Sequence, residues 1–157
     1  MKYIKWKAIL ILLLISSCNS LEKSTPDLAF KVYLIAYEGV QADGEKIGCS
    51  DTLVSVDLIV PIIGTTVETA LSSLLVYPNK NRFNNPLLYS NIKFQSITME
   101  GTHALVKLNG KLNIKGVCDH PKILAQLERT VLQFNKIESV EFVVDEKDLK
   151  ALLSLKS

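Results

Sequence analysis

Residues 52–78, "TLVSVDLIVPIIGTTVETALSSLLVYP", change their apolar period once, and that change constrains the fold more than any other feature. Val54, Val56, Leu58 and Val60 alternate with Ser55 and Asp57, the pattern of a strand closed by Pro61. Val67, Ala70, Leu71, Leu74 and Leu75 then recur at i, i+3, i+4, i+7 and i+8, one stripe of an amphipathic helix. Thr65 and Glu68 stand at capping-box spacing, hydroxyl to the third amide and carboxylate back to the cap, and Pro78 supplies the stop. A strand that feeds an amphipathic helix implies layers, because each element must bury its apolar side against another.

The flanking segments extend this order. "FKVYLIAY" places Phe30, Val32, Leu34 and Ala36 on one side and Tyr33, Ile35 and Tyr37 on the other, so it reads as a central strand covered on both faces. "EGVQADGEKIGCSD" is a loop. "IKFQSITM" and "HALVKL" are expected to form a hairpin through Glu100-Gly101, where the glycine accepts positive φ. "DHPKILAQLERTVLQF" predicts a second helix with Asp119 or His120 as N-cap, Pro121 in the first turn, and Ile123, Leu124, Leu127, Val131 and Phe134 on its apolar side. "SVEFVV" is a last strand, and "EKDLKALLSLKS" a short helix docking Leu149, Leu152 and Leu153. The expected fold is α+β, in the order ββαββαβ: a two-layer sandwich of a mainly antiparallel sheet with two helices on one face, and a short C-terminal helix.

Residues 79–91, "NKNRFNNPLLYSN", interrupt that order with a polar loop holding Phe83, Leu87, Leu88 and Tyr89. Apolar groups in so polar a loop are as a rule pinned to the domain. The rival reading makes the loop a binding surface, with Phe83, Leu87 and Tyr89 as its candidates.

The N-terminus reads as a processing signal. Lys2, Lys5 and Lys7 make a positive region, "AILILLLI" an apolar one too short to span a membrane, and "ISSC" presents small residues before Cys18. This resembles the lipobox of bacterial lipoproteins, in which the cysteine is lipidated; Ile15 stands where that pattern has leucine. The expected division is a signal peptide at 1–17, a tether at 18–28 and one domain at 29–157, anchored outside the cytoplasm through Cys18. Two acyl chains hold a protein on a membrane stably where one does not. Removing residues 1–17 takes three of the 18 basic side chains and leaves 15 against 16 acidic ones, so the formal charge of +2 becomes about −1. A nucleic-acid partner is not expected, since such proteins carry clustered basic surface.

Catalytic signatures are lacking. The two histidines, His103 and His120, neighbour no G-x-S-x-G, the glycines form no phosphate loop, and Asp51, Asp57, Asp119 and Asp145 fall at loop, strand and cap positions. No catalytic residue, resident metal or cofactor is assigned, although a hidden acid pair would make a hydrolase. Cys49 and Cys118 remain, each after turn residues and before an Asp or a Ser-Asp pair, in a compartment where disulfides persist. A disulfide is the reading carried forward. Free thiols stay open, as does a zinc site of both cysteines with His120 and Asp51 or Asp119, against which stand the missing C-x-x-C and the cramped Cys-x-His spacing.

"VYLIAY", "LVSVDLIVP", "TTVETALSSLL", "ITMEGTHALVKLNG" and "LERTVLQFNKIESVEFVVD" together resemble the GerMN domain of bacterial sporulation, germination and envelope lipoproteins. The most specific pieces are the "ALSSLL" helix, the "MEGTHALVKL" hairpin and "TVLQFNKIESVEFVVD". There are departures: "VYP" replaces a Gly-Pro after the first helix, Glu146 replaces a glycine after Asp145, and the two cysteine segments are outside the common pattern. The resemblance implies a compact α+β module, related in shape to ring-building domains, without catalytic residues. It further implies a role in binding or assembly, with an envelope protein or a second copy of the chain as partner. A ligand- or cell-wall-binding lipoprotein is the alternative, and requires a concave site near Tyr37, Tyr77 and Tyr89.

Overall fold

The computed structural model describes residues 26–154. Cys18 and the signal segment lie outside the described residues, as does most of the expected tether. The folded unit starts earlier than residue 29. Strand β1 (Asp27–Ala36) pairs antiparallel with β3 (Thr52–Pro61) along its whole length, from Asp27 opposite Pro61 to Ala36 opposite Thr52. The Ile62 amide also donates to the Pro26 carbonyl, so the ladder's own length draws residues 26–28 into the domain.

Between these strands the loop carries a two-residue strand, β2 (Glu45–Lys46), on the outer edge of β3, and a single 3₁₀ turn at Gly48–Ser50. Helix α1 (Thr66–Val76) forms as its sequence dictates. The Glu68 amide donates to Thr65 Oγ1 at 3.0 Å and the Thr65 amide to Glu68 Oε2 at 3.4 Å, which satisfies donors that a helix start leaves orphaned. Gly64 precedes the cap with φ +67°, and a Cβ there would fall 1.9 Å from Glu68 Oε2. The five apolar stripe residues are all buried. Tyr77 ends the helix in extended conformation, as the residue before a proline prefers.

The polar loop is pinned by Asn85, which is fully buried. Its amide group donates to the Leu74 and Tyr77 carbonyls at 2.7 and 2.9 Å, and its Oδ1 accepts from the Leu87 amide and from Gln126 Nε2. One asparagine thus closes the end of α1, starts the 3₁₀ turn Pro86–Tyr89 and ties both to the next helix. Strand β4 (Phe83–Asn84) lies along the end of β1.

Strands β5 (Asn91–Glu100) and β6 (His103–Lys111) form the expected hairpin, but the turn is Gly101-Thr102, one residue later than the sequence suggested. Glu100 stays in the ladder opposite His103, and Gly101 takes the positive φ of +63°. Helix α2 (Asp119–Leu132) crosses over to β7 (Ser139–Val144), which runs parallel to β6, as a crossover connection requires. Neither Asp119 nor His120 is the N-cap. Cys118 holds that position without a side-chain cap, while Asp119 Oδ2 reaches back to the Lys115 amide at 2.8 Å. Asp145 and Glu146 make a two-residue turn into β8 (Lys147–Asp148), followed by α3 (Leu149–Ser154), which buries Leu149 and Leu153.

The α+β class and the order of long elements hold. The strands fall into two four-stranded sheets, β2-β3-β1-β4 and β5-β6-β7-β8, where the sequence suggested one. Helices α1 and α2 pack on each other and reach both sheets, so a single core joins Phe30 and Val32 of the first sheet to Val106, Leu108 and Phe142 of the second. At roughly 1.5–3 kcal/mol for each fully buried aliphatic side chain, this shared interior is what keeps the sheets together.

Candidate binding surfaces

The cysteines stand between two turns that the fold brings together. Cys49 and Cys118 are bonded, with sulfurs 2.08 Å apart, and stand 69 positions apart in sequence. Both sulfurs are thereby withdrawn from any metal set, and among the described residues no group of three His, Cys, Asp or Glu side chains converges on a cation position. Beside the disulfide, Lys122 Nζ lies 3.1 Å from Asp51 Oδ2 and 4.0 Å from Asp119 Oδ1, with the Lys122 and Asp51 side chains only 9% and 5% exposed. The Lys122 ammonium also sits 4.9 Å from the ring centre of Tyr37. A disulfide and a buried ion pair therefore fasten the 48–51 segment to the first turn of α2.

Next to this clamp is a concavity of about 420 Å³, lined by Tyr37, Asn79, Asn81, Arg82, Asn84, Tyr89 and Lys115 with the flank of Phe83. It continues into a narrower recess between Tyr37, Tyr89, Asn113 and Asp119. Tyr37 and Tyr89 are about half exposed. Asn79 Nδ2 donates to the Tyr89 hydroxyl at 3.0 Å, and Asn84 Nδ2 donates to the Tyr37 hydroxyl. Lys115 Nζ is held 4.4 Å from the Tyr89 ring centre. Of the loop residues singled out from sequence, Tyr89 and Phe83 border this concavity. Leu87 does not: it is fully buried, an anchor of the 3₁₀ turn in the core, because Asn85 folds the turn inward. Tyr77 is not part of the lining either.

A second depression, about 690 Å³ and largely apolar, runs between the start of α1, the end of β5 and the connection after α2. Ile97, Met99, Phe134 and Ile137 line it, with Val67 at its floor. Sequence reading missed this groove because Met99 and Phe134 each look like ordinary members of a strand or helix stripe. The signal available was that the α2 stripe runs on past the helix, to Phe134 beyond its end at Leu132.

His103 Nδ1 lies 2.8 Å from Ser139 Oγ across β6 and β7, a contact that no local pattern encodes. No carboxylate bonds the other ring nitrogen among the described residues, so the orienting group of a hydrolytic triad is missing there. Facing residues of neighbouring strands make such pairs routinely.

A model of the Germane family, described as sporulation and spore germination, matches residues 31–150. Comparison with curated protein sequences returns no match. Among solved structures, the first GerMN domain of the sporulation protein GerM from Bacillus subtilis superposes with a TM-score of 0.58 at 18% identity, covering 78% of this chain and 86% of that one. The tandem GerMN domains of the same protein give 0.56 at 15% identity, over 84% of this chain and 43% of that longer one. At these identities the likeness is one of fold, whereas the family model spans most of the chain. The chain accordingly belongs to the Germane, or GerMN, family of sporulation and spore germination domains.

Proposed function

We propose that the protein is a non-catalytic interaction module at the extracytoplasmic face of a membrane, anchored by lipid on Cys18, that docks an envelope protein in the groove between α1, β5 and the connection after α2. The observation that carries this is the groove itself. Ile97, Met99, Phe134 and Ile137 form a concave apolar lining of the kind that receives side chains from a protein partner. Met99 is 42% exposed although it stands among apolar neighbours, and the rim is polar, with Thr65, Thr66, Asn135 and Lys136 around the opening. An apolar centre inside a polar rim is the anatomy of a protein-protein contact. The lipid anchor is supported by the N-terminal residues alone, and the family supports an envelope setting.

Two measurements test the reading. Radiolabelled palmitate is expected on the wild-type chain in bacterial cells and absent from Cys18→Ala; equal labelling of both removes the anchor. A photo-crosslinking residue at position 99 is expected to give a discrete protein adduct that one at exposed position 76 does not, and Ile97→Asp, at a half-buried position of the lining, is expected to abolish that adduct. Identical adducts at both positions, or none, would remove the groove as a docking site.

A further inference from the structure

The concavity between Tyr37 and Tyr89 has a different chemistry from the groove, and we infer that it is a binding site for an acidic saccharide, a hydroxyl-rich sugar carrying a carboxylate or phosphate. Charge gives the first reason. Arg82 and Lys115 both line it, and neither has a carboxylate partner among the described residues. Lys115 Nζ is instead parked over the Tyr89 ring at 4.4 Å. Asp119, the acidic group of the adjoining recess, already accepts from the Lys115 amide and faces Lys122. Lys122, the third cation of the neighbourhood, is matched by Asp51. The mouth thus keeps two uncompensated cations, and an anion is what complements them.

Hydrogen bonding gives the second. Each phenol oxygen accepts from an asparagine amide, Asn79 for Tyr89 and Asn84 for Tyr37, so each hydroxyl proton is left to donate outward. Asn81 and Asn113 add further amides to the rim. Apart from the Tyr37, Phe83 and Tyr89 rings the lining is polar, which suits a ligand rich in hydroxyls better than one with aliphatic side chains. The rings supply flat, rigid faces at little entropic cost.

Preorganisation gives the third. Asn79 is held at both ends, its Oδ1 accepting from the Asn85 amide at 2.7 Å while its Nδ2 holds Tyr89. Asn84 lies in β4, paired to β1, and the buried Asn85 fixes the turn that carries Tyr89. The site stands formed before a ligand arrives, which lowers the cost of binding. Its volume also falls in the range of about 300–1,000 Å³ usual for small-molecule clefts.

The test uses the full chain in detergent, titrated calorimetrically with four probes: oligogalacturonate, glucose 6-phosphate, neutral N-acetylglucosamine oligomers, and short-chain phosphatidylglycerol in the same detergent. At least one acidic sugar is expected to bind, and the neutral oligomer to bind about tenfold more weakly, the worth of one charge-assisted hydrogen bond. Arg82→Ala and Tyr89→Ala are each expected to weaken the acidic sugar by about tenfold, and Val76→Ala, on the exposed side of α1, to leave it unchanged. The better acidic probe identifies the anionic group. The proposal is overturned if neither acidic sugar binds, if neutral and acidic sugars bind equally, if Arg82→Ala has no effect, or if phosphatidylglycerol binds through Arg82 where the sugars do not.

Discussion

Gln133, the C-cap of α2, bonds both backbone groups of Lys31 in β1: its Oε1 accepts from the Lys31 amide at 2.7 Å and its Nε2 donates to the Lys31 carbonyl at 2.9 Å. The side-chain amide does what a neighbouring strand would have done. Two turns earlier, Gln126 Nε2 donates to the Tyr33 carbonyl at 2.6 Å. Together they occupy the side of β1 that β4 reaches only at Ile35 and Ala36. Gln133→Ala removes both bonds to Lys31, and with them the one from Nε2 to the Thr130 carbonyl, and is expected to lower stability by about 1–2 kcal/mol, read from the urea midpoint, with an unchanged denaturant slope.

The pair Lys122–Asp51 is expected to respond asymmetrically. Lys122→Met leaves a carboxylate buried without its cation, and should cost about 3–5 kcal/mol. The double variant Asp51→Leu, Lys122→Met removes both charges, and should be more stable than the single one. A double variant no better than Lys122→Met would show that packing, not charge, governs the clamp. Urea unfolding of the oxidised proteins decides between these.

These two clamps also show what could be read from the chain and what could not. Periodicity located both long helices and every long strand, since a buried stripe must repeat with its element's own period. The Thr65–Glu68 box was legible because its logic is local. The Gln133–Lys31 and Lys122–Asp51 contacts join residues whose meeting depends on how α2 lies across the first sheet, which no local pattern encodes. The same holds for the sites. Tyr37 and Tyr89 stood out as aromatics, yet Arg82 and Lys115 acquire meaning only once β4 and the segment before α2 are neighbours. Leu87 misled because hydrophobicity in a loop does not say whether the turn faces in or out. The division into two sheets was illegible for a like reason: strand periods reveal faces, and partners are chosen at edges.

Glu146 is the departure from the family pattern whose consequence is local. The two-residue turn between β7 and β8 places Asp145 at φ 46° and Glu146 at φ 61°, where glycine is preferred. Glu146 gains an exposed ion pair with Lys107 at 3.3 Å, worth at most about 1 kcal/mol and commonly less. A left-handed conformation costs a residue with a side chain roughly 1–2 kcal/mol. Glu146→Gly should therefore raise the thermal midpoint slightly, and a fall would mean that the Lys107 contact outweighs the strain.

The Cys49–Cys118 bond is expected to carry a large share of stability. Chain entropy assigns about 4 kcal/mol to a loop of this length, a figure that rests on the unfolded state being unstructured. Reduction should raise the intact mass by the hydrogens taken up, and should lower the urea midpoint well beyond the effect of Gln133→Ala. The Cys49→Ala, Cys118→Ala variant should match the reduced protein. An unchanged mass on reduction would show that the purified chain carries free thiols.

Glu45 and Arg129 supply the acid dependence. Arg129 donates from Nε to Glu45 Oε2 at 2.8 Å and from its terminal nitrogen to Oε1 at 2.6 Å, and this paired hydrogen bonding holds the Glu45 carboxyl below the usual glutamate value. A carboxyl whose folded-state pKa is depressed stabilises the fold above its unfolded pKa, and that contribution is lost as pH falls through the folded value. Both side chains are nearly half exposed, so the effect is small and screened by salt. Comparison of wild type with Glu45→Gln at low ionic strength should show a stability difference at neutral pH that closes as the pH drops below the ordinary glutamate range. Because β2 is only Glu45–Lys46, the loss should appear first as faster amide exchange along the Thr52–Leu53 edge of β3. A difference that persists undiminished in acid would mean that Glu45 acts through packing and not through its charge.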